Sequence, residues 1–508
     1  MKIIRTDQMV PRGLSPWERE QVYNGLDCCV TAEVFDALLP QLDNHTSATY
    51  NFARDLQGPC LEMRLRGVKI DNARRWEVID EYFELLERLE EQLRRIVGEG
   101  AGLWQFNWRS NPDLHTLFYE TLGIPPIKRG GKPSVNRDAL ERLETYFYAT
   151  QIVKHILTMR DIQKKIAMLK TEIDPDGRIR TSYNIAGTTT GRLSSSFSEF
   201  GTGTNLQNVE ESLRSVFVAD KGMKMAYLDA QQGESRVVGA IEGNLFGDWK
   251  YLDACESGDL HTNVARLVWP NLDWTGSPES DRKLAEQPYY RHYDRRFMCK
   301  KIGHGTNYGG KPRTLANQAK VEISLIEDFQ PKYFRAFPAH LRWHAHVESR
   351  LRQHGHLVTL TGRKRWFFGR RNDDSTLREA IAYDPQGSLA DILNRGMLEV
   401  WKHRDCEPLM QIHDAILIQY PEGVEDKVLE LVRGQLRQRV ELQGGRRLEI
   451  PFDCATGWNW GKYNAEGNPD GLKSYKAGDT RKRTPETSLL DRKLFRVYRQ
   501  RAFRKATS

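Results

Sequence analysis

The chain has 508 residues, 39% hydrophobic and 28% charged, with 76 Lys+Arg against 68 Asp+Glu. At roughly 150 residues per domain this is material for about three structural units with ample apolar surface to bury. No apolar run reaches the length of a membrane span, no signal-like stretch opens the sequence, and the 7 cysteines include no CxxC pair. A spanning protein, a secreted disulfide framework and a zinc finger are therefore poor readings, and a thiol-reduced cytoplasmic protein is expected.

Ser15-Pro16 predicts a helix over 15–40, with a serine cap and proline in the first turn. After Asp71, the residues Ile79, Tyr82, Leu86, Leu89, Leu93 and Ile96 recur every three or four positions and predict a long helix ended by Gly98. Residues 100–170 continue mostly helical, broken by a loop at Pro125–Pro133. RIRTSYNIAG and MKMAYLDAQ read as strands, and MQIHDAILIQYP as two strands around a tight turn at His413-Asp414. A helical block, roughly 250–400, lies between them. Few strands, far apart in sequence with helices inserted, point to an α+β fold.

The tail is basic. Residues 465–508 hold 12 Lys/Arg and 5 Asp/Glu, or +7 of the total +8, leaving about +1 for the rest. A nearly neutral body that binds nucleic acid must gather its positive charge into a cleft. The tail itself reads as a solvated extension or as an accessory contact for nucleic acid or an acidic partner. Leu490, Leu494, Val497 and Tyr498 recur at helical spacing within it.

Two constellations carry chemistry. Asp229 ends one apolar strand and Asp414 sits in the turn of the later strand pair. If those strands are neighbours, both carboxylates share one rim, where they repel each other unless a divalent cation lies between them. By itself an Asp at a strand end is more often a turn residue. The second constellation is cationic: Arg296, Lys300, His304 and Tyr308 recur every four residues. Each step advances about 400° around an α-helix, so the four share one drifting stripe suited to a polyphosphate followed by a sugar and base. A solvated basic face is the alternative. The glycines at 303, 305, 309 and 310 argue against it, because each costs ~1 kcal/mol of helix stability and implies a close approach by something else.

Five segments in order resemble the polymerase region of family A DNA polymerases, the bacterial DNA polymerase I type, and suggest a phage-like branch. They are TTTGRLSS, DAQQGESR, RRFMCKKIGHGTNYGG, DPQGSLADI and QIHDAILIQY, and the resemblance spans about Arg54 to Asn464. It implies a right-hand architecture with palm sheet, helical fingers and helical thumb. The implied divisions are an exonuclease remnant (1–53), the approach to the palm and a thumb (54–170), palm (171–250), fingers (251–385), palm (386–464) and a basic tail (465–508). It also implies template-directed extension of a primer 3′ end with dNTPs in DNA replication, assisted by two Mg²⁺ ions with Mn²⁺ as a substitute. Primer–template DNA and dNTPs are the implied partners.

Residue by residue, Asp229 and Asp414 resemble the metal-binding carboxylates, with the Ala230 carbonyl as a further ligand. Arg296 and Lys300 are similar to the pair that grips the triphosphate, Lys300 being also the proton donor to the leaving pyrophosphate. His261, in SGDLHTNVARLVWP, resembles the β-phosphate contact, and Tyr308 the ring beside the nascent base pair. Glu234 matches the residue that closes the space for a ribose 2′-hydroxyl. Gln231 belongs to the same nucleotide-binding segment. Arg192, Arg378, Gln386 and His413 resemble primer and template contacts.

Departures from the pattern are Ala415, where an acidic residue usually follows the Asp, and His304, where Phe or Tyr is usual. Ala230, Gln231 and Gly233 are milder changes. Ala415 implies reduced rather than abolished activity, and His304 implies altered, pH-sensitive discrimination at the sugar 3′ position.

YNGLDCCVT, with Tyr23 and Asp27, resembles the last motif of a 3′–5′ exonuclease domain whose other carboxylates are not found before it. No proofreading by this chain alone is therefore expected. Either the activity is lost or a separate exonuclease or replication subunit docks on residues 1–53; a helical stub that merely covers the palm is the plainer alternative. Two rivals stand beside the polymerase: a non-catalytic DNA-binding scaffold, motivated by Ala415, His304 and the missing exonuclease, and an RNA polymerase, disfavoured by Glu234.

Overall fold

A serine cap and a first-turn proline start the first long helix, Pro16–Leu38: Ser15 accepts from the Glu18 N–H, and the Glu18 carboxylate accepts from the Ser15 N–H in return. The computed structural model describes residues 5–198, 201–290 and 293–478, together with Arg481 and Arg483. The tail segment Leu490–Tyr498 lies outside the described residues. No helix among the described residues is long and apolar enough to cross a membrane. The fold is α+β, and the chain divides into two compact units.

The sheet unit comprises Gly58–Gly233, Ile392–Arg439 and Glu449–Ser508. Its centre is a five-stranded antiparallel sheet of β1 (Met223–Ala230), β2 (Glu407–Ile412), β3 (Ala415–Pro421), β4 (Phe452–Gly457) and β5 (Lys473–Ser474), in the order β2-β3-β1-β4-β5. The apolar run 415–418 of β3 is explained by this central place, since residues 415–420, Gln419 included, are all buried. One core gathers Met225, Met410, Leu417 and Trp460 with Val68 and Phe217 from a small three-stranded sheet. Residues 465–478, assigned from sequence to the tail, begin inside this unit: the Trp458 N–H donates to the Asp470 carbonyl (2.7 Å) and the Leu472 N–H to the Gly461 carbonyl (2.7 Å).

A second core in the same unit is helical. Asn72–Ala101 packs on Phe147–Leu169 through Leu86, Leu93, Val97, Val153 and Ile156. Asp71 caps the first of these helices by accepting from the Arg74 N–H (3.0 Å). The expected stop at Gly98 is one turn early, because Gly102 ends the helix in the left-handed region at φ 69°. Gly98 is glycine for another reason: a Cβ there would come within 2.4 Å of the Trp104 ring.

The helical unit comprises Met1–Gln57, Glu234–Asp391 and Val440–Leu448. Helices Leu260–Val268, Ile323–Ala336 and Ala339–His354 bury Val264, Phe329, Tyr333, Phe337 and Trp343. Pro16–Leu38 behaves differently, with no buried residue and with Trp17, Val34, Phe35 and Leu38 exposed. The neighbouring N-terminal segment is tied down by Asp43, which pairs with Lys364 (2.5 Å), and by His45, whose Nδ1 meets the Gly362 carbonyl (3.1 Å).

Candidate active site

β-Sheet register brings the carboxylates together. In the β1–β3 pair Ala415 stands opposite Asp229, so Asp414, one residue earlier in the turn, lies beside the end of β1. The Ala230 N–H donates to the Asp414 carbonyl (3.1 Å) and fastens the turn to that strand end. His413, exposed at the tip, has φ 51°, and Gln411 Nε2 donates to its carbonyl (2.5 Å). On the other flank of β1, Asp453 of β4 stands opposite Asp229, and Gln231 Nε2 donates to its Oδ1 (2.5 Å).

Charge crowding follows. Desolvation by the surrounding strands, then the charges of Asp414 and Asp453, push the Asp229 carboxyl up to about 6, with Arg214 pulling the other way. Arg192 Nη2 lies 3.2 Å from Asp414 Oδ1, so this residue, expected on primer or template, meets a carboxylate here. Among the described residues no three His, Cys, Asp or Glu side chains gather as a metal ligand set. Two carboxylates and a main-chain carbonyl nevertheless suit a hard divalent ion that keeps positions for water and phosphate.

The cations belong to the helical unit. Arg295–Met298 is α-helical, Cys299–Gly303 forms a π turn, and His304–Asn307 resumes the α-helix. The uninterrupted α-helical stripe expected from the spacing is thus broken in its middle by a π turn, a feature common at functional sites. Arg296, Lys300 and His304 still bear on one point: all three charges help hold the His261 imidazole down at about 4, after burial as the main cause. Lys300 itself is exposed. Arg296 is fixed by Asp259, its Nε donating to Oδ2 (2.8 Å) and Nη2 to Oδ1 (3.3 Å). Asp259 also accepts from the His261 N–H (3.2 Å) as the cap of Leu260–Val268.

Glu234 meets the end of the cationic segment. The Tyr308 hydroxyl donates to Glu234 Oε2, and His304 Nε2 lies 3.7 Å from the same oxygen. The His304 and Tyr308 rings stand edge to face, centroids 5.2 Å apart. The close approach implied by the glycines comes from the protein's own packing. A Cβ at Gly305 would meet Leu315 at 2.4 Å, and one at Gly310 the Gly305 carbonyl oxygen at 2.7 Å. Gly309 has φ 68°, which turns the chain after Tyr308. Arg378 and Gln386 lie on the helix Asp374–Lys402, where Arg378 pairs with Asp374 (3.6 Å) and Gln386 is half-buried.

Asp453 and Asp259 are absent from the sequence-based set. Asp453 follows a strand pattern in PFDCATG, and Asp259 caps a helix two residues before His261. Either signal alone reads as ordinary structure, and only the tertiary register gives each its neighbour.

Comparison with known proteins gives the class of the chain. The chain belongs to DNA polymerase family A, whose model matches residues 76–462. It is 26% identical over 453 residues to the thermostable DNA polymerase I of Thermus filiformis, covering 84% of this chain and 50% of that protein. It is 28% identical over 451 residues to DNA polymerase I of Caldicellulosiruptor bescii, covering 84% and 49%. The chain therefore spans about half the length of the curated relatives it matches. Among solved structures it is similar in fold to the POL domain of Pol1 from M. smegmatis in complex with DNA primer-template and dNTP. That likeness has TM-score 0.65 and 22% identity, and covers 87% of this chain and 74% of the other.

Proposed function

We propose that the chain is a template-directed DNA polymerase that adds dNTPs to a primer 3′ end. The supporting observation is the β1–β3 register, which sets Asp229 beside Asp414; burial, and then the Asp414 charge, push the Asp229 carboxyl up to about 6. A rim that resists holding two negative charges suits a cationic partner. Asp229, Asp414 and the Ala230 carbonyl would hold two Mg²⁺ ions, or Mn²⁺ in their place, which when bound stabilise the attacking and leaving oxygens of an in-line phosphoryl transfer. In this reading the sheet unit supplies palm and thumb and the helical unit the fingers.

The reaction joins the primer 3′-oxygen, whose proton leaves to solvent, to the α-phosphorus and breaks the α–β phosphoanhydride bond. Arg296, oriented by Asp259, and neutral His261 bind the triphosphate, and Lys300 Nζ passes a proton to the departing pyrophosphate. Glu234 fills the place of a 2′-hydroxyl, and Tyr308 packs beside the new base pair. Arg192, Arg378, Gln386 and His413 contact primer and template; an Arg or Gln at minor-groove acceptors tests pair shape without reading sequence. The reading places the chain in the cytoplasm with its template. Pro16–Leu38, with its exposed Phe35 and Leu38, is the proposed dock for a separate exonuclease or replication subunit.

A primer-extension gel with Mg²⁺ and dNTPs, with Asp414→Ala as control, tests the function. Extension by the wild type alone is expected. No extension by either protein, with DNA binding intact, would overturn the reading in favour of a non-catalytic scaffold. Equal use of NTPs and dNTPs would instead point to RNA synthesis.

A further inference from the structure

Asn307, immediately before Tyr308, is 1% exposed. A small apolar residue would fill such a site without hydrogen-bonding demands. Instead its side-chain amide is held at both ends. Nδ2 donates to the Tyr251 hydroxyl (2.9 Å), and Oδ1 accepts from the Tyr333 hydroxyl (2.7 Å). Its main-chain carbonyl lies 2.7 Å from His344 Nε2. Gln330 Nε2 braces the chain on either side, donating to Thr306 Oγ1 (3.2 Å) and to the Gly310 carbonyl (2.8 Å). Tyr251 and Tyr333 are themselves 3% and 1% exposed.

The cluster reaches the residue next to each member of one pair. Tyr308 is the next residue after Asn307, and its hydroxyl donates to Glu234. Ser235, the next residue after Glu234, is a further hydrogen-bonding neighbour of the Tyr251 hydroxyl. One buried hydroxyl thus joins the segment that carries Tyr308 to the segment that carries Glu234. A hydrogen-bonded polar network in a low-dielectric core favours one arrangement where apolar packing tolerates several.

We propose that Asn307 is a positioning residue: through Tyr251 and Tyr333 it fixes Tyr308 against Glu234 and so sets the discrimination between deoxyribose and ribose. The inference rests on the polymerase reading, in which Glu234 faces the sugar. It adds a buried, non-contacting determinant of selectivity one layer behind that pair.

The test compares the wild type with Tyr333→Phe, Tyr251→Phe and Asn307→Leu. The two Tyr→Phe variants keep their rings, so they carry the test should Asn307→Leu fail to fold. In single-nucleotide insertion, the ratio of kcat/KM for dATP over ATP is expected to fall by about tenfold, the scale of one buried hydrogen bond lost. Most of the change should lie in KM, with kcat at saturating dATP nearly kept. Gly98→Ala, which strains a helix of the sheet unit, should lower the melting temperature and leave the ratio alone. Hydrogen exchange of the free chain gives a second readout independent of activity: amides of residues 304–310 should exchange about tenfold faster in Tyr333→Phe, with other helices unchanged. An active wild type whose variants keep both ratio and KM would overturn the inference and leave the polymerase reading standing. A wild type that extends no primer would sink the polymerase reading, and unchanged exchange at 304–310 would then sink the positioning role as well.

Discussion

Asp453 faces Asp229 across the β1–β4 pair, on the flank opposite the turn that carries Asp414. Asp229 is therefore the middle carboxylate of three. Asp453→Asn removes one of its neighbouring charges while keeping an oxygen that accepts from Gln231. The Asp229 carboxyl, now at about 6, is expected to fall toward its ordinary value of 3.8. A carboxylate-carbon NMR titration of the metal-free protein measures this directly.

The same shift makes stability depend on pH. The folded pKa of Asp229 is raised, so between its ordinary value and about 6 the folded chain binds more protons than the unfolded one. This contribution is fully present below the ordinary value and is lost as pH rises through about 6. The metal-free wild type should therefore lose more stability across that window than Asp229→Asn, as followed by urea melts at several pH values.

Asp259→Asn separates two duties of one residue. Asparagine still caps Leu260–Val268 through its side-chain oxygen, but the charge that holds Arg296 is gone. The melting temperature is expected to stay within a few degrees, while KM for dNTP rises about tenfold, the scale of one charge-assisted hydrogen bond. An unchanged KM would show that Arg296 needs no such anchor.

His261 should titrate far from neutrality. Burial, then the charges around it, hold its imidazole near 4, so it remains neutral through the physiological range. A histidine NMR titration should show no inflection for His261 between pH 5.5 and 8 (about one and a half units above its value, where over nine-tenths is already neutral).

His413 carries positive φ at the first position of a two-residue turn, where glycine is favoured. His413→Gly should raise stability by about 1 kcal/mol by relieving that conformation. Primer–template affinity should fall in the same variant, because the proposed side-chain contact is gone. Thermal melts and a DNA-binding titration read the two effects apart.

Two glycines in one helix should respond oppositely. A methyl group added at Gly100 would meet open space, so Gly100→Ala should stabilise by up to about 1 kcal/mol. Gly98→Ala drives a methyl group into the Trp104 ring and should cost about 1–3 kcal/mol. Paired urea melts distinguish them.

Much of the site was legible because its signals are local. Asp229 and Asp414 stand at changes from apolar to polar sequence, and the spacing of Arg296, Lys300, His304 and Tyr308 survives a change of helix type. The π turn at Cys299–Gly303 was not legible, since a repeat of four reads alike before and after a shift in hydrogen-bond register. Gly98 misled because a helix stop and a packing gap demand the same residue. Asp453, Asp259 and Asn307 gain meaning only from partners 224, 37 and 26–56 positions away in sequence.

The strand Lys473–Ser474 pairs with Ala455 and Thr456 at the margin of the sheet, and the Tyr475 N–H donates to the Cys454 carbonyl (2.8 Å). It acts as a selvedge. A chain cut back to Asn464, where the family resemblance ends, would leave the outer edge of β4 at Cys454–Thr456 unpaired and open to pairing with another molecule, while its other edge stays bonded to β1. Shortened versions meant to remove the basic charge should therefore end after Gly478, or they will trade one kind of association for another.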